Sequence, residues 1–335
     1  MNDRFKKSTI AILVFLPIAS MLLSLCLGRM VIPVATIFQS LGAKLGFGES
    51  EAVSVEKVLW GIRLPRILMA MIVGVGLSLA GLTFQSLFAN PLATPDTLGV
   101  ASGSSFGACL GLLMGFSLRG IQVTALLMGL LAVLLTWISG RGKGRGTTSI
   151  VLSGIMIGSL FNALVSLVKY TADTETQLPA ITYWLMGSMS GKGYSTFILG
   201  CPIIILCAVL LFILRWRMNI LPLSEDEARS SGIDIKKLRV FAIIAGTAMT
   251  ASCVSMCGQV GWIGLIVPHM CRMKLGNDHR KLVPASISIG ATFVVIVDTL
   301  CRTISASEIP ISILTAIIGA PFFVYLMRRK GGWNL

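Results

Sequence analysis

Apolar residues along this chain fall into ten runs separated by short polar or basic stretches. The runs lie at about 8–28, 65–88, 98–117, 121–139, 148–168, 196–214, 239–257, 260–272, 283–302 and 311–327. None shows the two-residue alternation of a strand with one face in lipid, which excludes an outer-membrane barrel. Crossing a hydrocarbon core about 30 Å thick takes roughly 20 residues of helix. The eighth run, 260–272, is too short to span alone. The pattern predicts an all-α, polytopic membrane protein of about ten transmembrane helices, with residues 1–335 as a single transmembrane domain. An even number of passes puts both termini on one side.

Glycine and proline interrupt two of these stretches, at 90–103 (NPLATPDTLGVASG) and 258–270 (GQVGWIGLIVPHM). Each follows a long helical run. They can be read as matching interrupted helices of two inverted-like halves, runs two to five and seven to ten. Broken helices in corresponding positions mark a transport path, because irregular backbone at membrane depth must be shielded by protein or line water. The competing reading is that Gly and Pro only kink these helices for packing. The run at 148–168 carries Ser153, Gly154, Gly158, Ser159, Asn162, Ala163 and Ser166 at spacings that form a stripe. Such small, weakly polar side chains either pack against a close neighbour or line a pore, and the sequence leaves both open.

Composition sharpens this picture. Charged residues are 13% of the total, against about 25% in a soluble domain, too few to cover a body in water. Lys and Arg number 28 against 14 Asp and Glu, a net charge of +14. The basic residues cluster between runs: Arg4, Lys6 and Lys7; Arg141, Lys143 and Arg145; six from Arg215 to Arg239; four from Arg272 to Lys281; and Arg328, Arg329 and Lys330. All of these fall on one side of a ten-pass chain, and positive loops stay in the cytoplasm. The expectation is a multi-pass protein of the cytoplasmic (inner) membrane with both termini cytoplasmic. Residues 1–28 combine a basic start with an apolar run, as signal peptides do; with many spans downstream, an uncleaved first helix is expected. No basic patch interleaves with aromatics, so membrane lipid and not nucleic acid is the expected contact.

Candidate chemistry is sparse. The eight cysteines lie in or beside apolar runs without a Cys-x-x-Cys pair, which suits buried packing. His269 and His279 lack ligand-spaced neighbours, and His279, in NDHRK, is expected to be solvated; no metal site is predicted. GRGKGRGTTS at 140–149 lacks the Gly-Lys-Ser/Thr ending of a phosphate loop. No nucleophile–base pair is visible, so no catalytic residue and no cofactor is predicted, and the chain is not expected to be an enzyme. Asp298 and Arg302 stand four apart, the spacing of a helix-stabilising ion pair. A central row of Asp, Glu or His, usual in proton-coupled carriers, is missing from the pattern. In the loop 215–239, Ser224 can cap a short helix with Glu225, Asp226 and Glu227 in its first turn, ended by Ser231-Gly232. That element is either a docking device or a connector.

Several motifs, in order, carry a resemblance: RLPR at 63–66, NPLATPDTLGV at 90–100, SEDEARSSGI at 224–233, GWIGLIVPHMCR at 261–272 and EIPISILTAIIGAPFFVYL at 308–326. Together they resemble the ABC transporter permeases for iron–siderophores, haem and cobalamin (the FecCD/BtuC-like family), over almost the whole chain. The resemblance implies that Arg63, Arg66 and Arg302 receive acidic residues of an extracytoplasmic substrate-binding protein, a pairing that guanidinium forks suit. It implies that the loop 221–235, centred on Glu227, Ala228 and Gly232, docks in an ABC ATPase subunit, and that Asn90, Leu92, Thr147 and Thr148 form a cytoplasmic gate. Ser153, Gly158, Ser159, Asn162 and Ser166 are then candidates for the pathway lining. One departure is Leu223-Ser224-Glu225, where family members often carry a glycine-containing stretch.

The expected function is the membrane-spanning permease of a binding-protein-dependent, ATP-driven importer of an iron–siderophore chelate, with haem or cobalamin as other cargoes of the same class. It would act as a homodimer or as a heterodimer with a homologous permease. The alternative is an ion-coupled secondary transporter working without an ATPase.

Overall fold

A computed structural model describes residues 7–47, 53–140, 147–223, 225–305 and 307–328. Of the basic clusters, Arg4, Lys6, Arg141, Lys143, Arg145, Arg329 and Lys330 lie outside these residues, as does the capping residue Ser224. The helices are α1 (Lys7–Cys26), α2 (Val34–Lys44), α3 (Val53–Glu56), α4 (Leu64–Leu87), α5 (Val100–Leu113), α6 (Leu118–Gly140) and α7 (Thr147–Thr171). They continue as α8 (Gln177–Leu185), α9 (Phe197–Ile213), α10 (Glu225–Ser230), α11 (Ile235–Cys257), α12 (Ile263–Leu275), α13 (His279–Ile304) and α14 (Ile311–Arg328).

Among the described residues, seven helices are long and apolar enough to cross a membrane: α1, the continuous helix Val53–Leu87, α6, α7, the stretch Tyr194–Ile213, α11 and α13. The shorter apolar helices α5 and α14, with α12 of 13 residues, occupy the remaining predicted runs. The protein is an all-helical, multi-pass membrane protein. Its outer surface fits lipid: Phe15, Leu127, Leu134, Ile198 and Leu206 are all exposed.

Three elements escaped the hydropathy pattern. Helices α2 and α8, with 11 and nine residues, are too short to register as spans. The third is a π-helical stretch, Lys57–Arg63, that joins α3 to α4. Pro65 has no N–H to offer the carbonyl four residues back. The Leu64 N–H instead reaches the Leu59 carbonyl, and the helix continues through the proline. The two arginines of RLPR therefore lie within one long helix and not at its mouth.

Helix α4 is the hub of the bundle, buried over most of its length and packed against α1, α9, α11, α12 and α13. Its residues Gly74, Ser78 and Gly81 share one face. The Ser78 hydroxyl donates to the Ser286 carbonyl of α13 at 2.8 Å. A Cβ on Gly74 would lie 2.2 Å from the Gly290 carbonyl of α13, and one on Gly81 2.0 Å from the Gly264 carbonyl of α12. Small residues in membrane helices let backbones approach closely and gain dispersion contacts. Helix α5 uses Gly103, Gly107 and Gly111 in the same way against α6.

Gly81→Val is expected to lower the unfolding temperature of the purified protein, since overpacking costs about 1–3 kcal/mol. Gly61→Ala, where nothing lies within 4 Å of the new Cβ, is the control and is expected to leave it unchanged.

Candidate functional site

The two interrupted segments meet. After α4, Ala89 takes a φ of 45° and the Asn90 side chain accepts from the Leu92 N–H at 2.9 Å, turning the chain back. A 3-10 turn, Pro95–Leu98, follows inside a Thr94/Thr97 capping box. Gly99 then adopts a left-handed φ of 74° that a side chain would oppose. The Asp96 carboxylate accepts from the Ala101 and Ser102 N–H groups at 3.1 and 3.3 Å, satisfying the open start of α5. In the second segment, α11 ends at Gly258, and Trp262 adopts a φ of 68° just before α12. Its ring packs 6.0 Å from Phe323 of α14. The Pro95 ring lies against Gly264, and the two breaks enclose a cavity of about 240 Å³ lined by Thr94, Asp96, Thr250, Gln259 and Trp262 among others. The two breaks thus share a cavity, while Ala89, Asn90, Leu92 and Gly261 stay exposed.

Helix α7 divides the predicted stripe between two faces. Ser153, Gly154 and Gly158 are buried against the first break: a Cβ on Gly154 would lie 2.1 Å from the Thr97 carbonyl. Ser159, Asn162 and Ser166 are exposed, beside Ile155, Met156 and Leu160. The Ser159 and Ser166 hydroxyls donate to the carbonyls of Ile155 and Asn162. Of the expected gate residues, Asn90, Leu92 and Thr148 are exposed, and Thr147 is the first residue of α7.

Arg63, Arg66 and Arg302 gather at one end of the bundle, all buried, at 4%, 8% and 7% relative exposure. Arg63 donates to the carbonyls of Leu25 at 2.5 Å, Cys26 at 3.3 Å and Met30. Arg66 grips Asp298 of α13 with two nitrogens, Nε at 3.0 Å and Nη2 at 2.9 Å, and reaches Glu308 through Nη1 at 3.0 Å. Arg302 donates to the hydroxyl of Ser24 at 2.7 Å and to its carbonyl. The sequence spacing suggested an Asp298–Arg302 pair; the carboxylate instead turns across to Arg66, where a bidentate fork is available. Burial pushes the Glu308 carboxyl up, but the charge and hydrogen bond of Arg66 outweigh it and hold Glu308 below its usual range. Arg29, exposed nearby and acting on Glu308, adds to an excess of positive charge at this end that the motifs did not announce.

At the opposite end, the histidine expected to be solvated is buried. His279 opens α13, with Nε2 2.5 Å from the Ser86 hydroxyl of α4 and Nδ1 2.8 Å from Asn219 Oδ1. Asn219 in turn donates to the Asp278 carboxylate at 3.0 Å. The charged string NDHRK concealed this because its partners come from distant segments. A few residues beyond Asn219, α10 forms the short helix expected there. Ala228 is fully buried against Ile220 and Ile235, Glu227 is exposed, and Gly232 makes the left-handed turn that ends the element, with a φ of 69°. The acidic first-turn side chains Glu225 and Asp226, like their cap Ser224, lie outside the described residues. Asp234 caps α11; its hydrogen bonds from the Lys237 and Lys236 N–H groups hold its carboxyl low. Among the described residues, no group of three or more His, Cys, Asp or Glu side chains is placed to hold a metal ion.

Comparison with known proteins places this geometry. The profile of the FecCD transport family matches residues 15–329. A molybdate import system permease of Haemophilus influenzae is 40% identical over 326 residues, covering 96% of each chain. A probable iron chelatin transport system permease of Helicobacter pylori is 34% identical over 84% of this chain and 86% of its own. A solved structure described as an inward-facing conformation of a metal-chelate type ABC transporter superposes with a TM-score of 0.87 at 37% identity, covering 96% of this chain and 99% of that one.

Arg66→Gln is expected to destabilise the protein by about 3–5 kcal/mol, because it leaves the Asp298 charge buried without its partner. Adding Asp298→Asn is expected to recover most of that loss, as read by thermal unfolding of the purified protein.

Proposed function

The chain belongs to the FecCD transport family, and on that footing we propose that it is the permease of an ATP-driven importer of an iron chelate. It is a non-catalytic transmembrane subunit, and the fuel comes from partner ATPases. The observation that carries the reading is the family match over residues 15–329, nearly the whole chain. The interrupted segments and the half-exposed α7 support it. A helix that shows Ser159, Asn162 and Ser166 amid apolar residues on one open face supplies one wall of a path. A second copy, or a homologous permease, supplies the other.

In this reading both termini and α10 face the cytoplasm. The ATPase subunit engages the 221–235 element around Glu227, Ala228 and Gly232. Asn90, Leu92, Thr147 and Thr148 form the inner gate. The substrate-binding protein meets the opposite end, where Arg63, Arg66 and Arg302 lie. Because these three are held by groups of their own chain, the exposed Arg29 makes first contact, and acidic residues of the partner compete with Glu308 for the cluster. ATP binding shifts the population between access states only as far as the partners bind those states with different affinity.

Molybdate is a second reading of the cargo, favoured by one observation: a relative 40% identical over 96% of this chain is a molybdate import permease. An ion-coupled carrier would need a mid-membrane charged site. The buried carboxylate Asp298 sits near one helix end and is already paired with Arg66.

The test is reconstitution of the permease with its ATPase and binding protein in proteoliposomes. Uptake of a labelled ferric chelate is expected to require ATP and to resist competition by molybdate. Saturable molybdate uptake instead would assign the second cargo, and uptake driven by an ion gradient alone would overturn the class. Arg29→Glu is expected to weaken binding-protein affinity about fivefold at low salt and little at high salt, as an exposed charge worth about 1 kcal/mol should.

A further inference from the structure

Helices α1, α4, α9 and α13 frame an open groove of about 670 Å³. Its walls are apolar: Leu13 and Val14 from α1, Met71 and Ile72 from α4, Ile205 from α9 and Ile287 from α13. Two arginines, Arg215 and Arg280, stand among the lining residues, Arg215 just past the C-terminal end of α9 and Arg280 in the first turn of α13. We propose that this groove is a binding site for one anionic phospholipid, an acyl chain lying along the helices and the phosphate held by Arg215 and Arg280.

Three features support that occupant. The first is length. Arg280 and Ala291, both in the lining, lie about 16 Å apart along α13 at 1.5 Å per residue. That is close to the roughly 15 Å depth of one leaflet's hydrocarbon. The second is dryness. Pro17 in α1 cannot donate to the Leu13 carbonyl, a loss that would leave a polar atom bare in the groove. The Ser288 hydroxyl of α13 donates to that carbonyl at 2.5 Å and removes the need for water. A dry apolar slot suits a hydrocarbon chain and not a hydrated ion.

The third feature is the charged mouth. The Arg215 guanidinium lies 4.2 Å over the Phe212 ring and donates to the Phe212 carbonyl through Nη1 at 2.8 Å, which fixes it beside the groove. A guanidinium has five N–H donors, so the same group can also serve a phosphate. The neighbouring Trp216 is exposed, and tryptophan marks the headgroup level of a membrane. Basic pockets between membrane helices at this level select anionic headgroups. In the orientation proposed above the charged mouth faces the cytoplasmic leaflet, and the site itself does not depend on that orientation.

Native mass spectrometry of the full-length protein, released from mixed phosphatidylglycerol and phosphatidylcholine, tests the proposal. The parent is expected to retain phosphatidylglycerol over phosphatidylcholine. Arg215→Gln and Arg280→Gln, read separately, are each expected to cut that preference about fivefold, with phosphatidylcholine retention unchanged. Ala208→Phe, which fills the groove without touching its charge, is expected to expel both lipids. The unfolding temperature of each variant without added lipid shows that the fold is intact. Equal retention of the two lipids by the parent would overturn the site, as would an unchanged preference in both arginine variants. So would a groove-filled protein that keeps its lipid.

Discussion

A peptide group in hydrocarbon has no water to bond, and this constraint shapes every part of the molecule. It makes the chain helical and limits where the helices can stop. The breaks at 88–99 and 258–262 interrupt the apolar helices, and the first works by local substitution. Asn90, Thr97 and Asp96 supply side-chain oxygens to N–H groups that the helices no longer serve. Gly81, Gly154 and Gly264 bring other backbones close enough to keep lipid away. The same logic operates at single prolines: a π turn absorbs Pro65, and Ser288 covers the carbonyl that Pro17 leaves open.

Charge inside the bundle obeys a related rule. Asp298 is fully buried, and the Arg66 fork spans both of its oxygens while Nη1 takes Glu308. Burying the ions is costly, and the pairing offsets that cost only when the geometry is complete. The triad therefore contributes definition more than net stability: it fixes the rotation of α4 against α13 and ties both to the loop that opens α14. The neighbouring Arg63 and Arg302 are spent on carbonyls and a hydroxyl near the end of α1. That end of the protein is a dense set of polar contacts with positive charge left over, and the buried Nε of Arg302 has no hydrogen-bond partner among the described residues.

Much of this was legible in the residues. The ten apolar runs coincide with helices to within a few positions, because span length and hydrophobicity are local properties. The breaks were legible because Gly and Pro act locally too. What stayed hidden depends on partners distant in sequence. Asp298 sits one turn before Arg302, yet it pairs with a residue 232 positions away. His279 looked solvated among charges, and only the fold supplies Ser86 and Asn219. The stripe on α7 could not be assigned from spacing alone, since its residues serve two adjoining faces, Gly154 towards the break and Asn162 outward. Helices α2 and α8 were missed because elements of 11 and nine residues leave no hydropathy peak of spanning length.

The junction at Asn219 has a mechanical consequence. This one amide touches His279 and Asp278 at the start of α13, and through His279 it reaches Ser86 near the end of α4. It stands on the stretch that leads into α10. A push delivered there enters two helices together, and those helices are locked again at their far ends by Arg66 and Asp298. With a clamp at each extremity, α4 and α13 must travel as one shaft. Movement of one clamp is then passed to the other as a tilt or rotation of the pair, without sliding between them.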